Sequence, residues 1–408
     1  MNANGLKWGG QSSKQMAVRL LLLTAAGIGL LLFTVWLNRV DKIPLVSREG
    51  QTFEKAVVTA IIQDNMTETG TRVGEQVVEV KLLTGEKEGE TLQVTSSSGF
   101  LFGAPCTPGM KVVLMQSVAG DTVIASVYSQ DREWVIYAFG LLYLAVLVLV
   151  GGKQGVKGGI GLVFTFFSIL LWYLPMVYRG FSPFWSAVFI CLITTVVTML
   201  LIGGFTKKTI VATLGTVGGV LTAGIAATLF SAASGISGYN VSDIETLMTL
   251  WNTLDIQVGG LLFSGLLISS LGAVMDVAMS IGSSMSEILG QNPNLNRREL
   301  FRAGIRVGRD MMGTDSNTLI LAFAGSSVSM LLLDYAYALP YRQIINSNNI
   351  GIAVMQGLAG SFGVVLSVPI TVLAGAILYT SAKHPAQKEP AQAEPEIAAP
   401  EENESQPR

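Results

Sequence analysis

The sequence predicts a polytopic α-helical membrane protein of about eight transmembrane helices. It also predicts a small all-β extracytoplasmic domain, an OB/SH3-like barrel, between the first and second helices. Three observations lead to this fold class. Only 13% of the 408 residues are charged, whereas a soluble chain carries about 25%. Apolar stretches long enough to cross a bilayer recur along the chain. One stretch, 41–132, instead alternates apolar and polar side chains, as β-strands do.

The first apolar stretch predicts a membrane anchor. Three basic residues, Lys7, Lys14 and Arg19, precede an uncharged run over 20–37. No cleavage site with small residues follows this run, which distinguishes it from a secretory signal peptide. The pattern therefore predicts a cytoplasmic N-terminus over 1–19 and an uncleaved transmembrane anchor helix over 20–38.

Residues 41–132 predict the extracytoplasmic β domain. The segment 78–82 reads Val-Glu-Val-Lys-Leu, which places charged side chains in water between buried apolar ones. Further strands are predicted over 56–62, where the alternation is only loose, and over 91–95, 111–115 and 122–128, with Gly, Pro and Asp turn signals between them. Five or so short strands in about ninety residues fit a barrel of the OB or SH3 type. Such a fold alone assigns no function.

Seven more apolar stretches predict a seven-helix membrane domain over 133–381. Each reaches the ~17–25 residues needed to cross the ~30 Å hydrocarbon core. The stretches are 134–150, 159–177, 184–204, 209–232, 258–282, 316–338 and 351–380.

Small residues recur at a spacing of four in the stretch 209–232, at Gly215, Gly219, Ala223 and Ala227. This spacing places them on one face of a helix, and small residues on one face are typical of helices that pack closely in lipid. We therefore predict close helix packing here rather than a ligand site.

The loops between these stretches predict the orientation of the chain. Basic residues concentrate in three loops, at Lys153 and Lys157, at Lys207 and Lys208, and over 297–309. The intervening loops carry few basic residues. Because cytoplasmic loops are enriched in Lys and Arg, the pattern predicts a multi-pass membrane protein with both termini cytoplasmic. The polar segment 382–408 is predicted to be a disordered cytoplasmic tail.

An acidic residue in the sixth predicted span is the first candidate for a binding site. Asp276, Ser280, Ser283 and Glu287 step by three or four, so a helix presents them on one face. A carboxylate at this depth costs at least about 2.5 kcal/mol, so it must face protein or water. We predict ion or substrate binding; the alternative is a hydrogen-bonded aspartate that fixes helix packing.

A polar run at the start of the seventh predicted span is the second candidate. It offers oxygen ligands suited to a proton or a hard cation. The predicted topology places this run at a depth similar to that of Asp276, so the two segments are expected to meet. Helix capping by Thr314 or Asp315 is the alternative, although capping needs only one such residue. The run comprises Asp310, Asp315, Ser316, Asn317 and Thr318.

The loop before this run is rich in arginine. Arg298, Arg302 and Arg306 fall on one helix face, with apolar residues elsewhere. The pattern predicts a basic helix on the inner membrane surface. The alternative is that these arginines only set the topology of the chain.

Several function classes are excluded by composition. The net charge of −2 gives no indication of nucleic-acid binding, and the single histidine, His384, lies in the polar tail. Catalysis by Ser-His-Asp or Cys-His groups therefore lacks its base, and no nucleotide-binding Walker A sequence occurs. Cys106 is predicted outside the membrane and Cys191 inside a span, so the two cannot pair. We interpret Cys106 as an inert small residue; the alternative is an intermolecular or redox role. Neither enzyme activity nor a cofactor is expected.

Two segments carry a family resemblance. Residues 272–281 read GAVMDVAMSI, and residues 308–319 read GRDMMGTDSNTL. With the SSMSE of 283–287, they resemble the signature segments of the YibE/F-like family, as does the layout of an anchor, an outside β-rich region and a block of spans. The resemblance implies a bacterial plasma-membrane protein, mostly of Gram-positive lineages. It implies no established activity, since such proteins are described as multi-spanning and only sometimes as permeases.

These observations predict an ion-coupled secondary transporter or permease of unknown substrate. Asp276 would be the titrating or cation-binding group, with Ser283, Asp315 and Asn317 lining the site. The expected partners are the lipid bilayer and a small solute or ion, and a homo-oligomer is left open. The alternative function is a non-transporting scaffold or sensor that acts through the β domain. A scaffold would tolerate Asp276→Asn, whereas a transporter would not.

Overall fold

The computed structural model describes residues 27–40, 51–66, 72–97, 103–119, 122–241, 244–254 and 256–380. The predicted cytoplasmic N-terminus, 1–19, and the predicted tail, 382–408, lie outside these residues. The chain divides into two compact units, Met1–Val163 and Phe164–Arg408.

The first unit contains a short apolar helix, a five-stranded barrel and most of a long helix. Helix α1 (Gly27–Asn38) lies within the predicted anchor segment. After the barrel, helix α2 (Glu133–Ser168) begins. The strands are β1 (Gln51–Gln63), β2 (Glu75–Leu82), β3 (Thr91–Ser97), β4 (Lys111–Ala119) and β5 (Thr122–Gln130).

The five strands form a closed barrel, as predicted, in the order β1-β2-β3-β5-β4. Neighbouring strands are antiparallel except for β3 and β5, which are parallel. This order matches the OB-type alternative. Val78, Val80 and Leu82 of β2 are buried in the barrel core, so the alternation in the sequence correctly indicated which face of β2 packs inward.

The loop between β3 and β4 packs into the barrel core through Ala104 and Cys106, which are both buried. The Gln76 side chain donates a hydrogen bond to the Cys106 carbonyl (3.1 Å) and accepts one from the Cys106 amide (2.9 Å). The Ser96 hydroxyl bonds to both backbone groups of Ala104 in the same way. Burial raises the pKa of the Cys106 thiol, which keeps it in its unreactive protonated form.

A charged contact ties the barrel to the start of α2. The Asp131 carboxylate accepts a hydrogen bond from the Glu133 amide (3.1 Å) at the first turn of the helix. Lys55 of β1 forms ion pairs with both Asp131 and Glu133. The hydrogen bond to Glu133 raises the pKa of the Lys55 ammonium group. These contacts therefore hold the start of α2 against the barrel.

A 46-residue apolar helical segment, Glu133–Tyr178, follows the barrel. It consists of α2, a π-helical turn (Ile169–Tyr173) and α3 (Leu174–Tyr178). A straight helix of this length would extend about 69 Å, more than twice the hydrocarbon core. The segment is not straight, because a methyl group added to Gly155 would meet the backbone of Leu147 and one added to Gly159 would lie 3.5 Å from the Leu144 side chain. The backbone leaves the helical conformation at Gly152, with φ 52° and ψ −133°. This break in the helix lies between the second and third predicted spans, where the sequence predicts a loop.

The remaining described residues of the second unit are mostly helical. The helix α6 lies in a segment for which the sequence predicted only a loop. A 3-10 turn (Val258–Gly260) leads into α7. The helices are α4 (Pro183–Gly203), α5 (Lys207–Ser234), α6 (Ile244–Leu254), α7 (Leu261–Gln291), α8 (Arg297–Ser326), α9 (Val328–Ala336), α10 (Tyr341–Ile345) and α11 (Asn348–Thr380).

By length and composition, five helices of the described residues could cross a membrane, or up to six if the bent pair α8–α9 is one span. The two helices of this pair meet at an angle of 57°, so the predicted seventh span, 316–338, is divided between them. The structure therefore supports an apolar helical domain. The count of eight spans and the orientation stay predictions.

Glycines set the distances between the helices of the second unit. A methyl group added to Gly219 of α5 would lie 2.5 Å from a Val274 methyl on α7 and 2.7 Å from the Ser367 Cβ on α11. At Gly215, an added methyl group would lie 1.9 Å from the Thr371 hydroxyl on α11. The predicted close packing of this face of α5 is therefore confirmed.

Helix α8 packs through glycines as well. An added methyl group would lie 2.8 Å from the Met285 sulfur at Gly304 and 3.2 Å from Ile281 at Gly308. Because the contacts move back along α7 as they advance along α8, the two helices are antiparallel. At Gly308 the nearest atom, at 2.2 Å, belongs to Val368 of α11, so α8 lies against both helices.

We expect Gly219→Ala to lower the stability of the folded protein by about 1–3 kcal/mol, because the added methyl group overlaps side chains on two neighbouring helices. Gly272→Ala is the matched control, since no atom lies within 4 Å of the position its methyl group would take. We expect this control to change stability by less than about 0.5 kcal/mol. Thermal unfolding of the two purified variants in detergent measures the difference. Equal losses would contradict close packing at Gly219.

Candidate functional site: an acidic pair on two antiparallel helices

One face of α7 carries all the polar residues predicted for the sixth span. Because the helix is unbroken, Asp276, Ser280, Ser283 and Glu287 fall within about 60° of one another around its axis. Asp276 and Glu287 are exposed, and the two serines are half-buried. The Ser283 hydroxyl donates a hydrogen bond to a backbone carbonyl one turn earlier (2.7 Å).

The polar run predicted at a span entrance lies in the middle of α8. This helix begins with a capping box, in which the Asn296 side chain accepts the Glu299 amide (3.0 Å) and the Glu299 carboxylate accepts the Asn296 amide (2.9 Å). Asp315 lies about five turns after this cap. Capping therefore does not explain the presence of Asp315 or of Thr314.

The antiparallel packing of α7 and α8 brings Asp276 and Asp315 together. The contacts of Gly304 with Met285 and of Gly308 with Ile281 define the register. Continuing in the same register places Asp315 beside Asp276, and their carboxylates are near enough for their charges to interact. Asp315 is half-buried, whereas Asp276 is exposed. The pair thus lies at the border of the α7–α8 contact.

Asp310 and Asn317 lie elsewhere on α8. They are about 140° and 160° around the helix axis from Asp315, and both are exposed. The structure therefore separates them from the acidic pair, and their predicted role in binding stays a prediction. Among the residues described, no group of three His, Cys, Asp or Glu side chains could hold a metal ion.

Helix α11 contributes polar and small residues beside Asp315. The Ser361 hydroxyl donates a hydrogen bond to the Ser316 carbonyl (3.3 Å), and Leu319 packs where Gly360 leaves room for it. The Ser316 hydroxyl is itself buried with no hydrogen-bond partner among the described residues. A buried polar group of this kind costs about 1–3 kcal/mol unless a water or solute satisfies it.

Two further polar features were not singled out by the sequence. One carboxylate oxygen of Asp334, on α9, is buried and has no hydrogen-bond partner in the described part of the chain. The hydroxyl groups of Tyr173, in the π-helical turn, and Ser264, on α7, form a hydrogen bond. A single acidic residue or tyrosine in an apolar run carries no spacing signal, so neither position could be assigned to a site beforehand.

The arginine-rich segment is the beginning of α8 rather than a separate surface helix. Leu300 and Gly304 are buried against the neighbouring helices, while Arg298, Arg302 and Arg306 are exposed. Arg302 and Arg306 line a groove beside the end of α7, and Arg298 does not. Contact of these arginines with the membrane surface stays a prediction.

The barrel, the apolar helices and the acidic pair together define the class of this chain: a helical membrane protein with a five-stranded β-barrel and ionisable groups among its apolar helices. The profile of the YibE/F-like protein family matches residues 139–381. This match covers more than half of the chain and includes both helices of the acidic pair, so the chain belongs to the YibE/F-like family. No curated protein and no solved structure matches it.

Proposed function

We propose that this protein is an ion-coupled secondary transporter or permease, with Asp276 and Asp315 forming its coupling site. The observation that supports this most strongly is that two carboxylates on antiparallel helices of an apolar domain lie near enough for their charges to interact. A charged side chain at the centre of a span costs about 2.5–3.5 kcal/mol. Two neighbouring carboxylates also repel each other when both are ionised. A shared proton or a bound cation relieves both costs.

Access to the acidic pair is the next requirement of a transporter. Asp276 is exposed, and Gly272, one turn earlier on the same face, has open space in front of it. Lipid does not solvate a carboxylate, so we propose that this face borders a water-filled recess rather than acyl chains. In a homo-oligomer, a second copy of the chain would contact this face and enclose the recess. That assembly is also a proposal.

Irregularities in α8 and α11 support a moving element. The helix that carries Asp315 ends about three turns later at a 57° bend into α9, and the unpaired oxygen of Asp334 lies about two turns beyond that bend. Pro369 lies inside α11, where it removes one backbone hydrogen bond. Interrupted helices beside a binding site are typical of secondary transporters.

We further propose eight spans with both termini in the cytoplasm and the barrel outside. Basic residues gather at one end of the helices: the Lys207 ammonium donates to the Leu378 carbonyl (3.1 Å) and the Arg297 guanidinium to the Thr380 hydroxyl (3.5 Å). The starts of α5 and α8 thus meet the end of α11, and positive charge at one end fits a cytoplasmic side. The segment Glu133–Tyr178 has the length of two spans.

The proposed orientation predicts opposite labelling of two exposed positions. In intact cells, a membrane-impermeant maleimide should label Glu88→Cys on the barrel but not Asn294→Cys between α7 and α8. After permeabilisation it should label both. The native thiols, Cys106 and Cys191, are buried, so the parent chain serves as the unlabelled control. Labelling of Asn294→Cys from outside would contradict the orientation.

A second candidate function rests on the surface of the barrel. Phe53 and Tyr128 form an edge-to-face pair with ring centroids 5.3 Å apart, and the two side chains remain 46% and 42% exposed. Exposed aromatic residues are common where a protein binds another molecule. A scaffold or sensor would use this surface to recognise an extracytoplasmic component and would need no acidic pair.

For the transporter, we expect Asp276→Asn and Asp315→Asn each to lower coupled proton flux at least tenfold. The reason is that each substitution removes one of the two groups that share the proton or cation. The measurement is proton flux in proteoliposomes under an imposed pH gradient, with pooled metabolites and metal ions added. Glu245→Gln, which removes an exposed carboxylate from α6, is the matched control and should stay within about twofold of the parent.

Two outcomes would contradict the transporter. One is flux that survives both substitutions in the acidic pair. The other is an absence of flux in the parent protein while its unfolding remains cooperative. In the second case the scaffold gains support if cells tolerate Asp276→Asn but lose the function of the chain with Phe53→Ser and Tyr128→Ser.

A further inference from the structure

A groove of about 780 Å³ lies at the end of the hairpin that α7 and α8 form. Its walls come from the last turn of α7, the connecting loop and the first three turns of α8. Ligand sites for small molecules range from about 300 to 1,000 Å³, so this groove is large enough to hold a molecule rather than a single ion. It is separate from the acidic pair, which does not line it.

One wall of the groove is a column of arginines. Arg302, Arg306 and Arg309 line it, and their spacing of four and three residues keeps them on one face over about 10 Å of helix. All three are exposed. None of them forms an ion pair or hydrogen bond with another described residue. The groove therefore carries three arginine charges, none of which is paired with an acidic side chain among the described residues.

The one acidic side chain in the groove does not compensate for this charge. Glu299 lines the groove, but its carboxylate accepts a hydrogen bond from the Asn296 amide (2.9 Å) in the cap of α8. That bond fixes the carboxylate at the start of the helix, before the arginines. An anionic ligand would therefore meet a net positive surface.

Another part of the groove wall is apolar. Leu295, Phe301 and Ile305 also line the groove, and all three are half-buried. Arginine forks match phosphate oxygens in a bidentate manner, whereas these apolar side chains match hydrocarbon. A soluble phosphate compound would use only the first of these surfaces. An anionic lipid would use both.

We propose that this groove binds one anionic phospholipid, with its phosphate on Arg302, Arg306 and Arg309 and its acyl chain along Phe301 and Ile305. The site follows directly after a helix long and apolar enough to span a membrane, which is where a lipid headgroup resides. Basic pockets between membrane helices are known to bind such headgroups. The proposal does not rest on transport, because a scaffold with the same hairpin would bind the same lipid.

Lipid binding to the full-length protein, purified in a neutral detergent, tests this proposal. Native mass spectrometry would compare phosphatidylglycerol with phosphatidylcholine of the same chain length. The groove variant is Arg302→Gln with Arg306→Gln. The matched control, Lys153→Gln with Lys157→Gln, removes the same charge from α2, outside the groove. All four side chains are exposed, so both variants should fold.

We expect the parent protein to prefer phosphatidylglycerol at least fivefold and the groove variant to lose at least tenfold in affinity. The control variant should stay within twofold of the parent. An equal loss in both variants would show that general positive charge attracts the lipid. An absence of lipid preference would show that the groove is not a site for anionic lipid. Either result overturns the proposal. Displacement of the lipid by equimolar glycerol phosphate would overturn it too, because the ligand would then be a soluble phosphate.

Discussion

Contact between helices at glycine residues is the constraint on which the polar positions of the helical unit depend. At Gly219 an added methyl group would lie 2.9 Å from the Gly363 carbonyl, a backbone atom that cannot move aside as a side chain could. In lipid no hydrophobic force draws apolar helices together, so such close packing is a main source of association. It also fixes the register, because a shift of one residue turns a helix face by about 100°.

The register of α7 against α8 then determines which polar residues can act together. Gly304 and Gly308 lie on the side of α8 that packs on α7 and α11, and Asp315 lies on that same side. It is thereby directed toward Asp276. The arginines of the groove lie on the other side of the helix, about 120–180° away. One helix thus offers an acidic position within the bundle and a basic face at its beginning, and the two need not serve the same purpose.

Sequence patterns predicted those features that depend on local periodicity. The alternation over 78–82 correctly indicated which side chains of β2 are buried, and the spacing of Gly215 and Gly219 predicted a packing face. The choice between an OB and an SH3 barrel could not be made in this way. Strand order depends on pairing between distant segments, such as β3 with β5, and alternation within one strand contains no information about its neighbour.

The start of α8 is a feature that hydropathy alone did not predict. Hydropathy placed the start of the seventh span at residue 316 because the segment before it is rich in arginine and aspartate. Charged residues of this kind are rare in membrane spans. The helix in fact begins at Arg297. A signal for this was present in the sequence, since Asn296 and Glu299 have the spacing of a capping box. With the helix extended back to that cap, helical periodicity alone would have separated Asp310 from Asp315.

Cross-linking in native membranes tests most directly whether α7 and α8 hold Asp276 and Asp315 side by side. Asp276→Cys with Asp315→Cys would be made in a chain that lacks the native thiols and carries a protease site at 292–296. A short bifunctional thiol reagent should then keep the two fragments joined after cleavage. The same reagent should not join Asp276→Cys to Asp310→Cys. Equal joining of both pairs, or joining of the second pair alone, would contradict the register and with it the acidic site.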